Sequence, residues 1–242
     1  MLAGAAATAA MLRRMWVFPL AAALVSLVFA SALARGYVRR RRSYQAIWAV
    51  ALSMYAVASF LVSVSTLLGW SPASFRWYWA LGAVLNVPFL AMGELDLLIR
   101  RREVRWALYV LLAFVTAYTI AVVRTAEVNV VALDQELPSG KDVFGDGSPA
   151  HRLPQLISIP AYLVLVGGAL WSAWRMRRRP DLRDRFWGTL LIALGATVIA
   201  GFGSAFAALG KLVPFSLALL AGITVMFWGF LRASRSAPTG TS

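Results

Sequence analysis

No charged side chain interrupts residues 44–68, which read YQAIWAVALSMYAVASFLVSVSTLL. A helix rises about 1.5 Å per residue and the hydrocarbon core of a bilayer is about 30 Å thick, so roughly 20 apolar residues cross it. The 25 residues of this stretch are therefore enough to span a membrane. A strand of a membrane β-barrel would be shorter and would alternate apolar with polar residues, and this stretch does not alternate.

Six further apolar stretches of similar length fill most of the chain. Because lipid offers no hydrogen-bond partner to open backbone groups, each stretch is predicted to be a helix. The prediction is an all-α fold, a polytopic bundle of seven transmembrane helices in one domain, residues 1–242. The seven predicted spans are residues 16–34, 44–68, 75–99, 106–123, 155–174, 186–209 and 212–231.

The composition separates this chain from soluble proteins. Its 242 residues are 60% hydrophobic and 14% charged, with a mean hydropathy of +0.71, whereas soluble domains average about 45–50% apolar and about 25% charged. The net charge of +14 does not indicate a nucleic-acid partner, because the basic residues cluster at span ends, where topology places them. The lack of cysteine excludes disulfides and thiolate metal sites.

The basic residues lie mostly on alternate sides of the predicted membrane. The connections after spans one, three and five and the C-terminal tail hold 17 of them, and the other side holds 7, including Arg13 and Arg14. Since positive charge marks the cytoplasmic side, we expect the N-terminus outside and the C-terminus inside. The Arg-rich, Ala-rich composition favours a bacterial inner (plasma) membrane, where the cytoplasmic arginines could also contact anionic lipid head groups.

The connection of residues 125–153 differs from the others. It is long, lies on the predicted outer side and contains the turn formers Pro138-Ser139-Gly140. We expect partial order, with strand character over residues 128–133. This outer loop is also the candidate contact for a membrane-protein partner. It carries five acidic residues, Glu127, Asp134, Glu136, Asp142 and Asp146.

The first three and last three spans are similar in outline. Pro19 begins an apolar run that ends in arginines at 39–42, and Pro160 begins one that ends in arginines at 177–179. The odd span between the triplets gives both the same orientation, a parallel 3+1+3 layout. The alternative is that two apolar triplets look alike through composition alone.

This layout resembles that of the SWEET and PQ-loop sugar and amino-acid carriers. The resemblance implies a solute site between the two halves near the midplane. In that family a Pro-Gln pair recurs in both repeats. Here the pair occurs once, as Pro154-Gln155 at the outer end of span five, and span one has no such pair, so no residue roles are transferred. The stretch LGAVLNVP at 81–88, with Gly93-Glu94, is similar to a segment of uncharacterised seven-helix bacterial membrane proteins, which implies no activity.

Glu94 and Asp96 are the only acidic residues inside a predicted span. Ionisable groups at membrane depth usually face the bundle interior or a water-filled cavity. Two positions apart on a helix, these side chains point in roughly opposite directions and do not form a paired-carboxylate site. Glu94 is a candidate proton or cation site, or an anchor for a cationic ligand. The alternative is an ion pair with an arginine such as Arg39, Arg101 or Arg177.

Other polar residues within the spans are weaker candidates for a ligand or ion path. Asn86 lies near Pro88, where a kink could expose a backbone carbonyl. Span two carries a stripe of hydroxyls on one helical face, which could line a polar path or pack against a neighbouring helix. The stripe consists of Tyr55, Ser59, Ser63 and Thr66.

Two functions follow from these patterns. The first is binding or passage of a small solute within the bundle, lined by Glu94, Asn86, Asp96 and the span-two hydroxyls. The alternative is a receptor or accessory subunit whose outer loop contacts a partner. An enzyme is disfavoured, and we predict no cofactor and no metal, because His151 is the only histidine and multi-histidine zinc or haem sites are excluded.

Overall fold

The computed structural model describes residues 15–235, so Arg13 and Arg14 lie outside the described part. Within it the chain is helical and contains no strand. Seven helices are long and apolar enough to cross a membrane, which confirms the predicted seven-helix, all-α class. They are α1 (Val17–Arg40), α2 (Ser43–Leu68), α3 (Pro72–Leu98), α4 (Arg102–Thr125), α5 (Pro149–Met176), α6 (Pro180–Ala208) and α7 (Leu212–Ser234).

Several helices extend beyond the apolar runs that predicted them. Helix α1 continues to Arg40 rather than residue 34, and α5 begins at Pro149 rather than residue 155. Arginine side chains tolerate such positions because their apolar stems lie along the helix while the guanidinium reaches the head groups. The outer connection is consequently shorter than the predicted loop and covers residues 126–148.

The predicted strand character of residues 128–133 is wrong. The Asn129 side chain accepts a hydrogen bond from the Val131 N–H at 3.2 Å, and Val131–Asp134 follows as a 3₁₀ turn. Asparagine favours such local turns, and no strand within the described residues pairs with this segment. The connection is ordered, and five of its apolar side chains are buried. These are Ala132, Leu133, Leu137, Val143 and Phe144.

Six of the seven helices form a closed ring. Their order around it is α1, α2, α3, α5, α6 and α7, and α7 packs back against α1. Helix α4 lies outside the ring against α3 and turns Trp106, Val110 and Phe114 outward, as expected of a surface that contacts lipid.

The centre of the ring is a packed apolar core. Each ring helix contributes to it, including Phe29 from α1, Trp48 from α2 and Met226 from α7. The remaining void of about 10 Å³ is close to the smallest volume that holds one water molecule, and its lining is apolar. This void at the centre of the described bundle is too small to hold a solute.

Candidate functional site

Three hydrogen bonds from the beginning of α3 and the residues before it hold the connection of residues 126–148, the cap, and the adjoining start of α5 against the bundle. Trp79 Nε1 donates to the Ala150 carbonyl at 2.9 Å, Trp70 Nε1 to the Glu136 carbonyl at 3.2 Å, and Arg76 to the Ala126 carbonyl at 2.8 Å. Two of these contacts reach the cap, at its first residue and in its middle, and the third reaches α5 two residues after the cap ends. The cap is therefore a fixed part of the fold.

A cluster of aromatic side chains packs beneath the cap. Phe75 is fully buried, and its ring centroid lies 5.5 Å from Phe144 of the cap and 5.9 Å from Trp79. Gly140 opens a short cap helix directly against the Trp79 indole, where a β-carbon would overlap the ring. Glycine is required at this position by the close approach of the indole rather than by backbone conformation.

The cap presents negative charge to its surroundings. All five of its carboxylates are exposed, and its only basic residue is Lys141. Beside the cap lies an open groove of about 380 Å³. Asp146 in this groove pairs with Lys141 at 3.3 Å and lies 3.9 Å from His151 Nε2. The groove is lined by Asp146, Gly147, His151, Arg152 and Gln155, so both signs of charge are available to a polar ligand or partner.

Asp96, at the arginine-rich end of the bundle, joins three helices. Its buried carboxylate accepts hydrogen bonds from Ser43 at the start of α2 and from the Tyr109 hydroxyl of α4 at 2.8 Å. Arg105 of α4 lies 3.6 Å away and forms an ion pair with it. This set of partners gives Asp96 a structural role, in which it holds the otherwise peripheral α4 against α3.

Glu94, two residues earlier, has a different environment. It is buried against α5, and its described hydrogen bond is from the Ser172 hydroxyl at 3.4 Å. No described arginine forms an ion pair with it, so the alternative of an ion pair with an arginine is not observed among the described residues. Arg177, one of the expected partners, instead lies over the Trp174 ring at 4.8 Å. The two carboxylates contact different helices, as their spacing predicted.

Asn86 and Pro88 follow a π-helical segment of α3, Trp79–Leu85. Proline has no N–H to donate to the carbonyl four residues back, which here belongs to Val84. The Ser158 hydroxyl of α5 lies 3.0 Å from that oxygen and 2.8 Å from the carbonyl of the preceding residue. The single hydroxyl proton of this α5 side chain is therefore shared between two carbonyls, one of which the proline leaves free, and Asn86 is buried beside this junction.

The span-two hydroxyls contact neighbouring backbone. Tyr55 donates to the Leu219 carbonyl of α7 at 2.9 Å, and Ser63 donates to the Trp16 carbonyl at 2.8 Å. Thr66 donates within its own helix to the Val62 carbonyl, and Ser59 is buried. None of these residues lines the central void. Their contacts are those of helix packing, and a polar path along them stays a prediction.

Sequence reasoning missed the residues that fasten the cap and join α3 to α5. Trp70 and Trp79 fit an interfacial aromatic belt, and nothing in the sequence names their acceptors in residues 126–153. Ser158 is one hydroxyl in an apolar run. The available signal for it is Pro88, because a proline within a helix requires another donor for the carbonyl that it leaves free.

The chain matches no protein-family model, no curated protein and no solved structure. Its class therefore follows from composition and fold, which make it an all-helical, multi-pass integral membrane protein in contact with the lipid bilayer. Within residues 15–235, no group of three or more His, Asp or Glu side chains is placed to hold a metal ion.

Proposed function

We propose that this protein is a receptor or accessory subunit that recognises a partner through the cap and the groove beside it. The observation that carries this proposal is the contrast between the centre of the bundle and the cap. The centre of the bundle, where a solute would pass, has an apolar lining and a void of only about 10 Å³. The cap is ordered and charged, side-chain hydrogen bonds from Trp70 and Arg76 hold it, and a third from Trp79 holds the adjoining start of α5.

The cap indicates the chemistry of this partner. Val130 and Val131 are 62% and 78% exposed, and they lie between the exposed carboxylates Glu127 and Asp134. Apolar anchors surrounded by charge are typical of protein contact sites, and complementary charge directs association. The partner is therefore a membrane protein with a basic extramembrane segment that presents an apolar side chain.

Zero-length carbodiimide cross-linking in native membranes tests this proposal, because it joins carboxylates to the lysines of a bound partner. We expect one defined adduct that replacement of all five cap carboxylates by their amides (Glu127→Gln, Asp134→Asn, Glu136→Gln, Asp142→Asn and Asp146→Asn) abolishes. High salt should weaken the adduct, since exposed charges are screened. Asp181→Asn is the matched control, because Asp181 is an exposed acid in the first turn of α6, at the opposite end of the bundle. An adduct that survives replacement of all five cap carboxylates would exclude cap recognition.

The orientation that this function requires is N-terminus outside, with the cap on the outer face. The chain has no cysteine, so single cysteines report on topology without background. Gly147 has open space around it, and Gly147→Cys should react with a membrane-impermeant maleimide in intact cells. Arg178→Cys, in the connection between α5 and α6, should react only after lysis. The reverse labelling pattern would contradict the orientation.

A solute-binding function has one specific observation in its favour. Exchanging helices α1–α3 with helices α5–α7 leaves the order of neighbours around the ring unchanged, as a parallel 3+1+3 repeat requires. Glu94 lies where the two triplets meet, at the contact of α3 with α5. Solute flux catalysed by the purified protein in liposomes, and lost in Glu94→Gln, would favour this function over the first.

A further inference from the structure

The two carboxylates of α3 are two residues apart but differ in how their charge is balanced. Asp96 has an arginine, a tyrosine hydroxyl and a serine hydroxyl around it. Glu94 is equally buried, at 6% exposure against 9%, yet its described polar contact is the Ser172 hydroxyl alone. Burial of a carboxylate that has no cation is costly, and such a group is neutralised by a bound proton or cation.

The helices packed around Glu94 supply no such cation among the described side chains. Several titratable or charged groups on these helices lie at the same end of the bundle. None of them forms a hydrogen bond or an ion pair with Glu94. They are Tyr44 on α2, Glu103, Arg105 and Tyr109 on α4, and Arg175 and Arg177 on α5.

We propose that Glu94 and Ser172 form an intramembrane proton-binding site at the interface of α3 and α5. Glu94 holds the proton, and the Ser172 hydroxyl donates to its carbonyl oxygen. Gly168 of α5 makes room for the side chain, because a β-carbon there would lie 2.7 Å from Glu94 Cγ. The site is a contact between two helices and not part of the cap, so it is independent of the proposed partner recognition.

The position of the site indicates which face of the membrane exchanges the proton. Glu94 lies four residues before the end of α3 at Leu98, a distance of about 6 Å along the helix axis. That end of α3 is followed by arginines at 100–102. Exchange is therefore expected with water at the arginine-rich face, and α3 separates the site from the cap face by most of its length.

Infrared spectroscopy of the full-length protein in lipid vesicles tests the site directly. A protonated carboxylic acid has a C=O stretch above the amide I band, and an ionised carboxylate does not. We expect this band at neutral pH, with a downshift in D₂O that shows exchange of the proton. Glu94→Gln should remove the band, Glu94→Asp should move it, and Ser172→Ala should raise its frequency because the carbonyl loses a hydrogen bond.

Asp96→Asn is the matched control and should leave the band in place, since Asp96 is ion-paired. A hydrophobic carbodiimide, which reacts with protonated carboxyl groups in lipid, should label Glu94 and spare Asp96. A spectrum without the band, or a band that persists unchanged in both Glu94 variants, would overturn the proposal. Protection of Glu94 from the carbodiimide by sodium alone would also overturn it, because the site would then hold a metal cation.

Discussion

Gly195 on α6 and Gly222 on α7 lie backbone against backbone. A β-carbon on Gly195 would be 2.5 Å from the Gly222 carbonyl oxygen, and one on Gly222 would be 2.8 Å from the Gly195 carbonyl oxygen. Gly188 and Gly229, seven residues away on each helix, repeat this relationship at 2.5 and 2.6 Å. Lipid supplies no hydrophobic force between helices, so close van der Waals contact of this kind stabilises the pair.

Substitution of Gly195 should therefore destabilise the bundle. At a helix position with free space around it, Gly→Ala raises the free energy of unfolding by about 1 kcal/mol through helix propensity. At a tight contact, the added methyl group overpacks the interface and lowers it by about 1–3 kcal/mol. We expect Gly195→Ala to lower the midpoint of thermal unfolding in detergent. Gly167→Ala on α5 is the control, because a β-carbon there meets nothing within 4 Å, and it should be neutral or stabilising. Equal midpoints for the two variants would contradict the packing argument.

The sequence predicted those features that depend on local pattern. The seven helices follow from apolar runs, and the divergent directions of Glu94 and Asp96 follow from helical geometry, since both are properties of one segment. Even the hydroxyl stripe is visible as periodicity. The acceptor of the Tyr55 hydroxyl is not visible, because Leu219 is 164 residues further along the chain and no local signal joins them.

The cap shows why the remainder of the site could not be predicted. The β-branched residues of 128–133 favour a strand, but the Asn129 turn and burial against the bundle determine a 3₁₀ turn instead. That burial depends on Trp79 lying over Gly140, a contact between residues that are 61 positions apart. Similarly, whether an arginine lies beside Glu94 depends on which helix Glu94 faces, and the sequence does not specify that helix. Glu94 faces α5, where Gly168 makes room for its side chain.

The Tyr109 hydroxyl should contribute measurably to stability because it donates to the buried Asp96 carboxylate at 2.8 Å. Hydrogen bonds to charged groups contribute about 1.5–3 kcal/mol, so Tyr109→Phe should lower the free energy of unfolding by about that amount. Tyr118→Phe is matched on the same helix, with a residue that is about half exposed. Denaturation in mixed micelles compares the two. A loss in Tyr118→Phe as large as that in Tyr109→Phe would argue against a specific Asp96 anchor.

The Ser158 hydroxyl should matter only as long as Pro88 is present. Ser158→Ala removes the donor to the Val84 carbonyl, at a cost of about 0.6–2 kcal/mol for a hydrogen bond between membrane helices. In the Pro88→Ala background, the new N–H at residue 88 can bond that carbonyl within α3. We therefore expect the cost of Ser158→Ala to shrink in a double-mutant cycle. Strict additivity of the two substitutions would show that the serine and the proline act independently.

Release of the cap should be separable from unfolding of the bundle. A side chain at Gly140 would overlap the Trp79 indole, so Gly140→Leu should detach residues 126–148 while the seven helices remain packed. Limited proteolysis should then cleave within the cap at a rate at least tenfold higher, and helical circular dichroism should change little. Gly147→Leu lies in the same segment with open space around it and should keep the rate of the natural sequence. If Gly140→Leu also stays resistant, the Trp79 contact does not hold the cap. If it loses its helical signal, the cap and the bundle fold as one cooperative unit.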